Sequence, residues 1–346
     1  MITTRLSSIL VLNKILQGRN FCGLKEESTS TPLYTLNNII EDAKEHKKEL
    51  WILTQDMAKA YDSVSMKGLL LSLRRLGLPE RFIQWILDLF QGRHMRVITA
   101  FGLTDPFSAA DGIDQGDSIS PLIWRIFYDP LLVALQQDQN RGYHMSVEWP
   151  LDIQQPSGWK TLEVTIPVLA FMDDTCLMDR SRTRLQDSVD LANQFYHIHD
   201  IFINGDKCEL VVINPTTPKA QRNVCIGQSR ALVQATSKEV RYLGVWVANK
   251  QPRKLWIHRL KAIIKGFLDI CGKKHLGIGH LAYLINRVLI PKLLYMAQLM
   301  TLKEREWDII FRPVLGMVKR QIQVARSTPT AAILHEGLTG IDSLWH

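Results

Sequence analysis

The sequence predicts an α+β domain followed by a separate helical one, and three observations carry that expectation. Apolar residues recur at helical spacing in some segments, and alternate or run continuously over short stretches in others. Strand-like stretches stop near residue 247. Beyond it the pattern is helical and sharply basic: Lys250 to Arg326 holds 16 Lys and Arg against four acids, in a chain of net charge +8. Mixed elements followed by helices alone argue for two bodies, with a boundary expected near residues 249–253.

The composition narrows the class. With 346 residues, 46% of them hydrophobic, the chain can bury a sizeable core and is not expected to be disordered. Five widely spaced cysteines form no Cys-x2-Cys pair, so neither a zinc site nor a disulfide framework is expected, and a reducing intracellular compartment is the default. No apolar run is long enough to span a membrane, so no membrane partner is expected. The first 25 residues carry Arg5, Lys14, Arg19 and Lys25 and no acid, a composition shared with mitochondrial presequences. The basic C-terminal segment suits a polyanion, since phosphates release condensed counterions to lysine and arginine; ordinary surface solubility is the rival explanation.

In chain order, Thr35 to His46 is expected to be helical, and Trp51-Ile52-Leu53 a buried strand leading into Asp56. Met66 to Leu76 repeats leucines on one helical face and stops at Gly77; Pro79-Glu80 restarts a helix striped with Phe82, Ile86 and Leu89. His94 to Ala100 reads as a strand. Pro121 to Gln137 reads as a long buried helix kinked at Pro130. Strands are expected at Tyr143–Trp149, Thr161–Leu169, Thr175–Met178, Cys208–Ile213 and Val240–Val247, with a helix over Thr183–His199. From Leu255 onward helices are expected, broken near Gly272–Gly279, Pro291 and Pro313.

Two acidic placements point to chemistry. Asp56 follows a buried strand, and Asp173-Asp174 lies between two short strands where a tight hairpin would expose it. Such carboxylates can be satisfied by divalent metal, and two ions sharing carboxylates can activate a 3′-hydroxyl and stabilise a leaving pyrophosphate. Bland readings stand beside these: Asp56 as a helix cap, Asp174 as the end of a hairpin.

The order of the surrounding motifs resembles the palm of reverse transcriptases, especially those of non-LTR retrotransposons. Leu53 to Val64 resembles the first palm motif, Gly112-Ile113-Asp114-Gln115-Gly116-Asp117-Ser118-Ile119-Ser120-Pro121 the second, and Phe171-Met172-Asp173-Asp174 the third. Gly205-Asp206-Lys207 resembles the fourth motif, and Tyr242-Leu243-Gly244 the primer-gripping fifth. The resemblance implies an RNA-directed DNA polymerase: a right-hand palm with partial fingers and a helical basic thumb. It divides the chain into partial fingers (1–52), palm with residual fingers elements (53–249) and thumb with C-terminal tail (250–346). The implied partners are RNA template, DNA primer and dNTPs. The implied cofactor is Mg2+, two ions, with Mn2+ as a substitute.

Residue by residue, the resemblance makes Asp56 and Asp173 the principal metal ligands. Asp174 is the supporting carboxylate, and the Met57 backbone carbonyl completes one shell. Tyr61 would lie beneath the incoming sugar and exclude a 2′-hydroxyl, although alone it reads equally as a core aromatic. Gln115 and Gly116 would line the templating pocket. Lys207 would donate a proton to pyrophosphate or place charge near it; a solvated lysine is the rival. Tyr242, Leu243 and Gly244 would grip the primer. Lys254, Arg259, Lys261, Lys265, Lys273 and Lys274 would contact nucleic-acid backbone. Trp246, Trp256 and Trp307 could stack on bases, but burial explains them more cheaply. Asp62 is left outside the metal site as a cap for the following helix.

Two features depart from the family. The fingers look short, with Arg5 a candidate remnant of their basic patch, and Asn140 to Leu162 is longer than the usual link, an enlarged hairpin in which Glu148, Asp152 and neighbouring Glu163 have no assigned role. Two alternative functions accordingly stay open: the polymerase part of a mobile-intron maturase, and an inactive nucleic-acid-binding protein derived from a retroelement. The polymerase reading implies a nuclear or cytoplasmic location.

Overall fold

The computed structural model describes residues 2–150, 158–247, 253–274, 276–335 and 337–344, and divides into two units, Met1–Leu243 and Gly244–His346. Asp152 and nearly all of the expected 249–253 boundary lie outside the described residues.

The first unit opens with helices α1 (Ile2–Leu12) and α2 (Ser30–Glu45). Strands β1 (Leu50–Gln55) and β2 (Met57–Ala58), a 3-10 turn over Tyr61–Ser63, and helices α3 (Met66–Arg75) and α4 (Glu80–Phe90) follow. Strands β3 (Arg93–Met95), β4 (Ile98–Thr99), β5 (Gly102–Leu103) and β6 (Phe107–Ala109) form one hairpin nested in another, ahead of helix α5 (Ser120–Gln137). The long hairpin β7 (Tyr143–Pro150) and β8 (Trp159–Ile166) leads into β9 (Val168–Phe171), β10 (Asp174–Asp179) and helix α6 (Arg182–Ile198). Strands β11 (Phe202–Ile203), β12 (Glu209–Ile213), β13 (Asn223–Ile226), β14 (Ala231–Gln234) and β15 (Val240–Tyr242) complete it.

The central sheet has the order β12-β1-β10-β9, every pair antiparallel. Its strands are apolar on both faces because both faces are covered. Trp51, Leu53, Leu177, Leu210 and Val212 join the core that contains α5 and α6. The alternate residues Leu50, Ile52, Cys176, Met178, Val211 and Ile213 face the other way and are equally buried. The α5 helix is apolar nearly all round, as a helix surrounded by protein must be: Leu122, Ile123, Trp124, Ile126, Phe127, Tyr128, Leu131, Leu132 and Leu135 are all buried.

Several expectations are adjusted by local physics. The helix expected from Thr35 begins at Ser30 and accommodates Pro32 in its first turn, where the missing N–H costs nothing. Asp62 does not cap α3; the Ser65 side chain does, accepting from the Gly68 N–H at 3.1 Å. The strand expected over Thr161–Leu169 is two, separated at Pro167, which cannot donate to a ladder. The one expected over His94–Ala100 is likewise broken into β3 and β4. The strand expected over Val240–Val247 is interrupted at Leu243 (φ 45) and Gly244 (φ 80), a left-handed turn. The enlarged hairpin is β7–β8. Along it Tyr143, Met145, Val147 and Trp149 share one face with Leu162, Val164 and Ile166, while Glu148 and Glu163 lie on the other.

The second unit begins with β16 (Val245–Val247) and continues as α7 (Arg253–Cys271), α8 (Ile278–Leu284), α9 (Ile290–Ala297), α10 (Glu304–Gln321) and α11 (Thr330–Ile333). Its core gathers Leu260, Ile264, Leu281, Ile285, Leu293, Ile310 and Val314. Arg253 holds Glu306 through two hydrogen bonds, at 3.0 and 2.5 Å, joining the starts of α7 and α10. Pro291 falls in the first turn of α9, after a π-turn over Ile285–Leu289. Pro313 does not break the chain as expected: α10 runs through it, forgoing only the hydrogen bond to the Ile309 carbonyl.

Candidate active site

The carboxylates meet because β1 and β10 are neighbours. Gln55 pairs with Thr175, so Asp56, one residue past β1, stands beside Asp174, the first residue of β10. Asp173 occupies the tight turn between β9 and β10, where Phe171 pairs with Asp174 across two loop residues. Met172 takes φ 56 there, a left-handed conformation costly for a side chain of its size. Asn20, buried to 2% exposure, offsets that cost by gripping both backbone groups of Met172: its amide donates to the Met172 carbonyl at 3.1 Å, and its oxygen accepts the Met172 N–H at 3.2 Å.

Electrostatics at the turn are unbalanced. Burial first, then the Asp56 charge, pushes the Asp173 carboxyl above its ordinary range. Asp174 keeps an exposed edge but is desolvated on its sheet side, and burial followed by the charges of Asp173 and Asp56 raises it to about 6. Lys207, in a 3-10 turn over Gly205–Lys207, brings its Nζ to 3.4 Å from Asp56 Oδ2. That turn is tethered by the Asn204 N–H, which donates to the Asp56 carbonyl at 2.9 Å.

Tyr61 faces the same turn. Its hydroxyl points at the Met172 sulfur, 4.0 Å away, and its ring meets Trp124 edge-on at 6.0 Å between centroids. Burial, then Asp173 and Cys22, raises the phenol to about 12, so it stays neutral. The Gly112 loop docks on this segment: the Ile113 N–H donates to the Tyr61 carbonyl at 3.0 Å and the Gly112 N–H to the Val64 carbonyl at 2.9 Å. A Cβ on Gly112 would stand 3.0 Å from the Asp62 backbone, and its φ of +90 also demands glycine. Gln115 and Gly116 follow in the exposed part of the loop.

Met57 lies in β2 opposite Ile203, its side chain buried. The Tyr242 ring is buried too, so its side chain presents no surface, and the partly exposed residues of that motif are Leu243 and Gly244 in their left-handed turn. Thr54, Gln55, Asp56, Asp174, Lys207 and Tyr242 border a cavity of about 90 Å³. In the second unit, Lys254, Lys261 and Lys265 share one exposed face of α7, with Lys273 and Lys274 exposed just beyond it. Arg259 points elsewhere, over the Trp246 ring at 4.0 Å. Trp256 and Trp307 are buried, which removes them as stacking platforms.

Sequence reasoning missed the residues that brace these motifs. Asn20 carries no local signal, since its partner Met172 is 152 residues away. Arg125 had one: a lone cation in an apolar helix. It is buried, ion-paired with Glu27, and donates to the Cys22 carbonyl at 2.8 Å, securing the segment that holds Asn20. Arg93 ties the Gly112 loop to α4, donating to the carbonyls of Phe90 (2.7 Å), Asp111 (3.1 Å) and Gly112 (2.8 Å) and pairing with Asp114.

A sheet end carrying three carboxylates, an aromatic floor and a lysine is the arrangement of a polymerase palm. Residues 3–247 match the family described as reverse transcriptase (RNA-dependent DNA polymerase), and the chain belongs to that family. It is similar to the Pol polyprotein of the type-2 retrotransposable element R2DM of Drosophila melanogaster, at 26% identity over 60% of this chain and 18% of the relative. It also resembles that of a type-1 element R2 of Popillia japonica, at 23% identity over 89% of this chain and 42% of the relative. The chain thus spans less than half the length of either. Among solved structures it is similar to apo telomerase from Candida tropicalis (12% identity, TM-score 0.49, 92% of this chain and 51% of that one). It is also similar to telomerase from Candida albicans in complex with a fragment of telomeric RNA (14% identity, TM-score 0.48, 92% and 47%).

Dependence on divalent metal is general in this family, and the residues here fit it. The donors are carboxylate and carbonyl oxygens, the hard ligands that suit Mg2+ or Mn2+. The raised Asp173 and Asp174 mark a surplus of negative charge that a cation would relieve. Among the described residues no three acidic, histidine or cysteine side chains already stand in ligating positions, and Asp56 is turned toward Lys207.

Proposed function

We propose that this chain is an RNA-directed DNA polymerase core that extends a DNA primer on an RNA template. The observation that carries the proposal is the convergence of Asp56, Asp173 and Asp174 at one sheet end, within a segment that matches the reverse transcriptase family throughout. Two Mg2+ ions, held by Asp56, Asp173, Asp174 and the Met57 carbonyl, would supply activation of the primer 3′-hydroxyl and charge neutralisation of the leaving pyrophosphate. Lys207, mostly exposed beside Asp56, is placed to donate a proton to pyrophosphate. The neutral Tyr61 ring excludes a ribose 2′-hydroxyl by bulk, and the Gln115-Gly116 loop borders the templating base. Leu243 and Gly244 offer backbone to the primer. The fingers, palm and thumb boundaries expected from the sequence belong to the same proposal, with the exposed α7 lysines as phosphate contacts. A nuclear or cytoplasmic location accompanies it.

The test is primer extension on poly(rA)/oligo(dT) with Mg2+ and dTTP. The expected result is extension by the parent and loss by more than about 10³-fold in Asp173→Asn, the scale of losing a metal-holding carboxylate. Duplex binding without extension by either protein would overturn the enzymatic reading and leave a retroelement-derived nucleic-acid-binding protein.

A further inference from the structure

Beneath the carboxylates lies a buried polar chain that the proposed chemistry does not use. The two residues that adjoin the acids on the inward face of the sheet, Gln55 and Thr175, are both buried and both polar. Between them stand two buried phenols, Tyr196 from α6 and Tyr128 from α5. Tyr196 Oη lies 2.9 Å from Gln55 Oε1 and 3.0 Å from Tyr128 Oη. Tyr128 Oη lies 2.9 Å from Thr175 Oγ1, and Thr175 Oγ1 is 3.2 Å from the backbone carbonyl of Asp173.

Counting hydrogens gives this chain a direction. Four contacts link five groups, and each of the three hydroxyls has one hydrogen to give. With the Gln55 oxygen facing Tyr196, both ends of the chain are acceptors. Three hydrogens then cannot fill four contacts, and Gln55 Nε2 is left buried without an acceptor among the described residues. Turning the amide by 180° supplies the fourth hydrogen and fills every contact of the chain, with the amide oxygen then standing where the nitrogen had been. Gln55 Nε2 then donates to Tyr196, Tyr196 to Tyr128, Tyr128 to Thr175, and Thr175 to the Asp173 carbonyl.

We infer that Gln55, Tyr196, Tyr128 and Thr175 are positioning residues, a one-way hydrogen-bond chain that fixes the spacing between Asp56 and the Asp173-Asp174 turn. The inference rests on the metal-binding reading of those carboxylates. The sheet ladder sets the register of β1 against β10, but the turn and the residue after β1 lie past its last pair, Gln55 with Thr175. The chain supplies the missing restraint from below and anchors it in two helices. A site so held meets a cation with its carboxylates already spaced, and loses less freedom on binding.

The test measures Mn2+ binding by electron paramagnetic resonance, without nucleic acid, on the full chain. Tyr196→Phe, Tyr128→Phe and Thr175→Val each remove one hydroxyl from a site that keeps its shape. Each is expected to weaken Mn2+ binding about fivefold, the worth of one hydrogen bond, whereas Thr175→Ser, which keeps the donor, stays within about twofold. Thermal melts check that each variant is folded; should both phenylalanine variants fail to fold, the Thr175→Val and Thr175→Ser pair decides. Folded variants with reduced melting temperature but parental Mn2+ affinity would overturn the inference and leave the chain a packing feature. A parent with no saturable Mn2+ binding, or an Asp173→Asn that binds equally well, would instead overturn the metal-binding reading, and this inference with it.

Discussion

The turn at Met172-Asp173 and the exposed face of α7 are both places where charge is expected to meet nucleic acid or its chemistry, and they are built in opposite ways. At the turn, two adjacent residues are held: Met172 by Asn20, 152 residues away, and the Asp173 carbonyl by the Thr175 hydroxyl two residues on. On α7, Lys254, Lys261 and Lys265 stand in solvent on a helix whose buried side does the packing. A site that must hold acids a few ångströms apart needs such bracing, because like charges repel and the surroundings must overcome that repulsion. A surface that meets a uniform phosphate backbone needs charge density more than exact placement. Single substitutions should therefore act steeply at the turn and shallowly on the helix.

That contrast can be sharpened in order of expected effect. Tyr61→Val should reduce selection of dTTP over UTP by about 10- to 100-fold, the size of a 1–3 kcal/mol steric penalty. Competitive incorporation assays measure it, and unchanged selectivity would remove Tyr61 from the sugar pocket. Asn20→Ala should cost about 1–3 kcal/mol in urea unfolding, since it strands two partly buried backbone groups. A loss below about 0.5 kcal/mol would mean the turn holds itself, and the steep side of the comparison would fail.

On the shallow side, Lys254→Ala, Lys261→Ala and Lys265→Ala combined should lower the slope of log affinity against log salt by about 2 to 3 for an RNA–DNA duplex. Each single change should contribute about one third of it. One lysine carrying the whole effect would show placement, not density, to be what matters there.

The smallest effect concerns pH. The folded protein raises Asp174 to about 6, so over the range from about 4 to 6 the unfolded chain releases this proton first. Stability of the metal-free protein should accordingly fall as pH rises through that range, by about 1 kcal/mol because solvent screens the exposed edge. The difference in melting temperature between the parent and Asp174→Asn should grow in the variant's favour from pH 4.5 to 7. Saturating Mn2+ should reverse the parent's loss.

The sequence was informative where structure is local. Helices α3 and α4, the end of β1 at Asp56 and the hairpin around Asp173 follow from spacing and turn chemistry within a dozen residues. The three carboxylates are legible in the sequence because motif order stands in for geometry within a family. What stayed hidden depends on long range. Nothing near Asn20 announces Met172, and nothing near Tyr196 announces Gln55, 141 residues earlier. The hairpin β13–β14 escaped notice because its four-residue strands give too few alternations to stand out. Pro313 misled for the reverse reason: a strong local breaker is overruled when its helix buries Trp307, Ile310, Phe311, Val314 and Val318 on one side.

The left-handed Met172 also constrains how this site can drift over generations. Asparagine or glycine would relax the backbone at that position, and the grip of Asn20, made entirely to main-chain atoms, would survive either change. The side chain is where the cost would fall, because its sulfur is what the Tyr61 hydroxyl rests against. On the proposed role of Tyr61, mutational exchange at residue 172 trades backbone comfort against the seating of the ring that would exclude a 2′-hydroxyl, so a lineage that lost discrimination against ribonucleotides could become more stable by doing so.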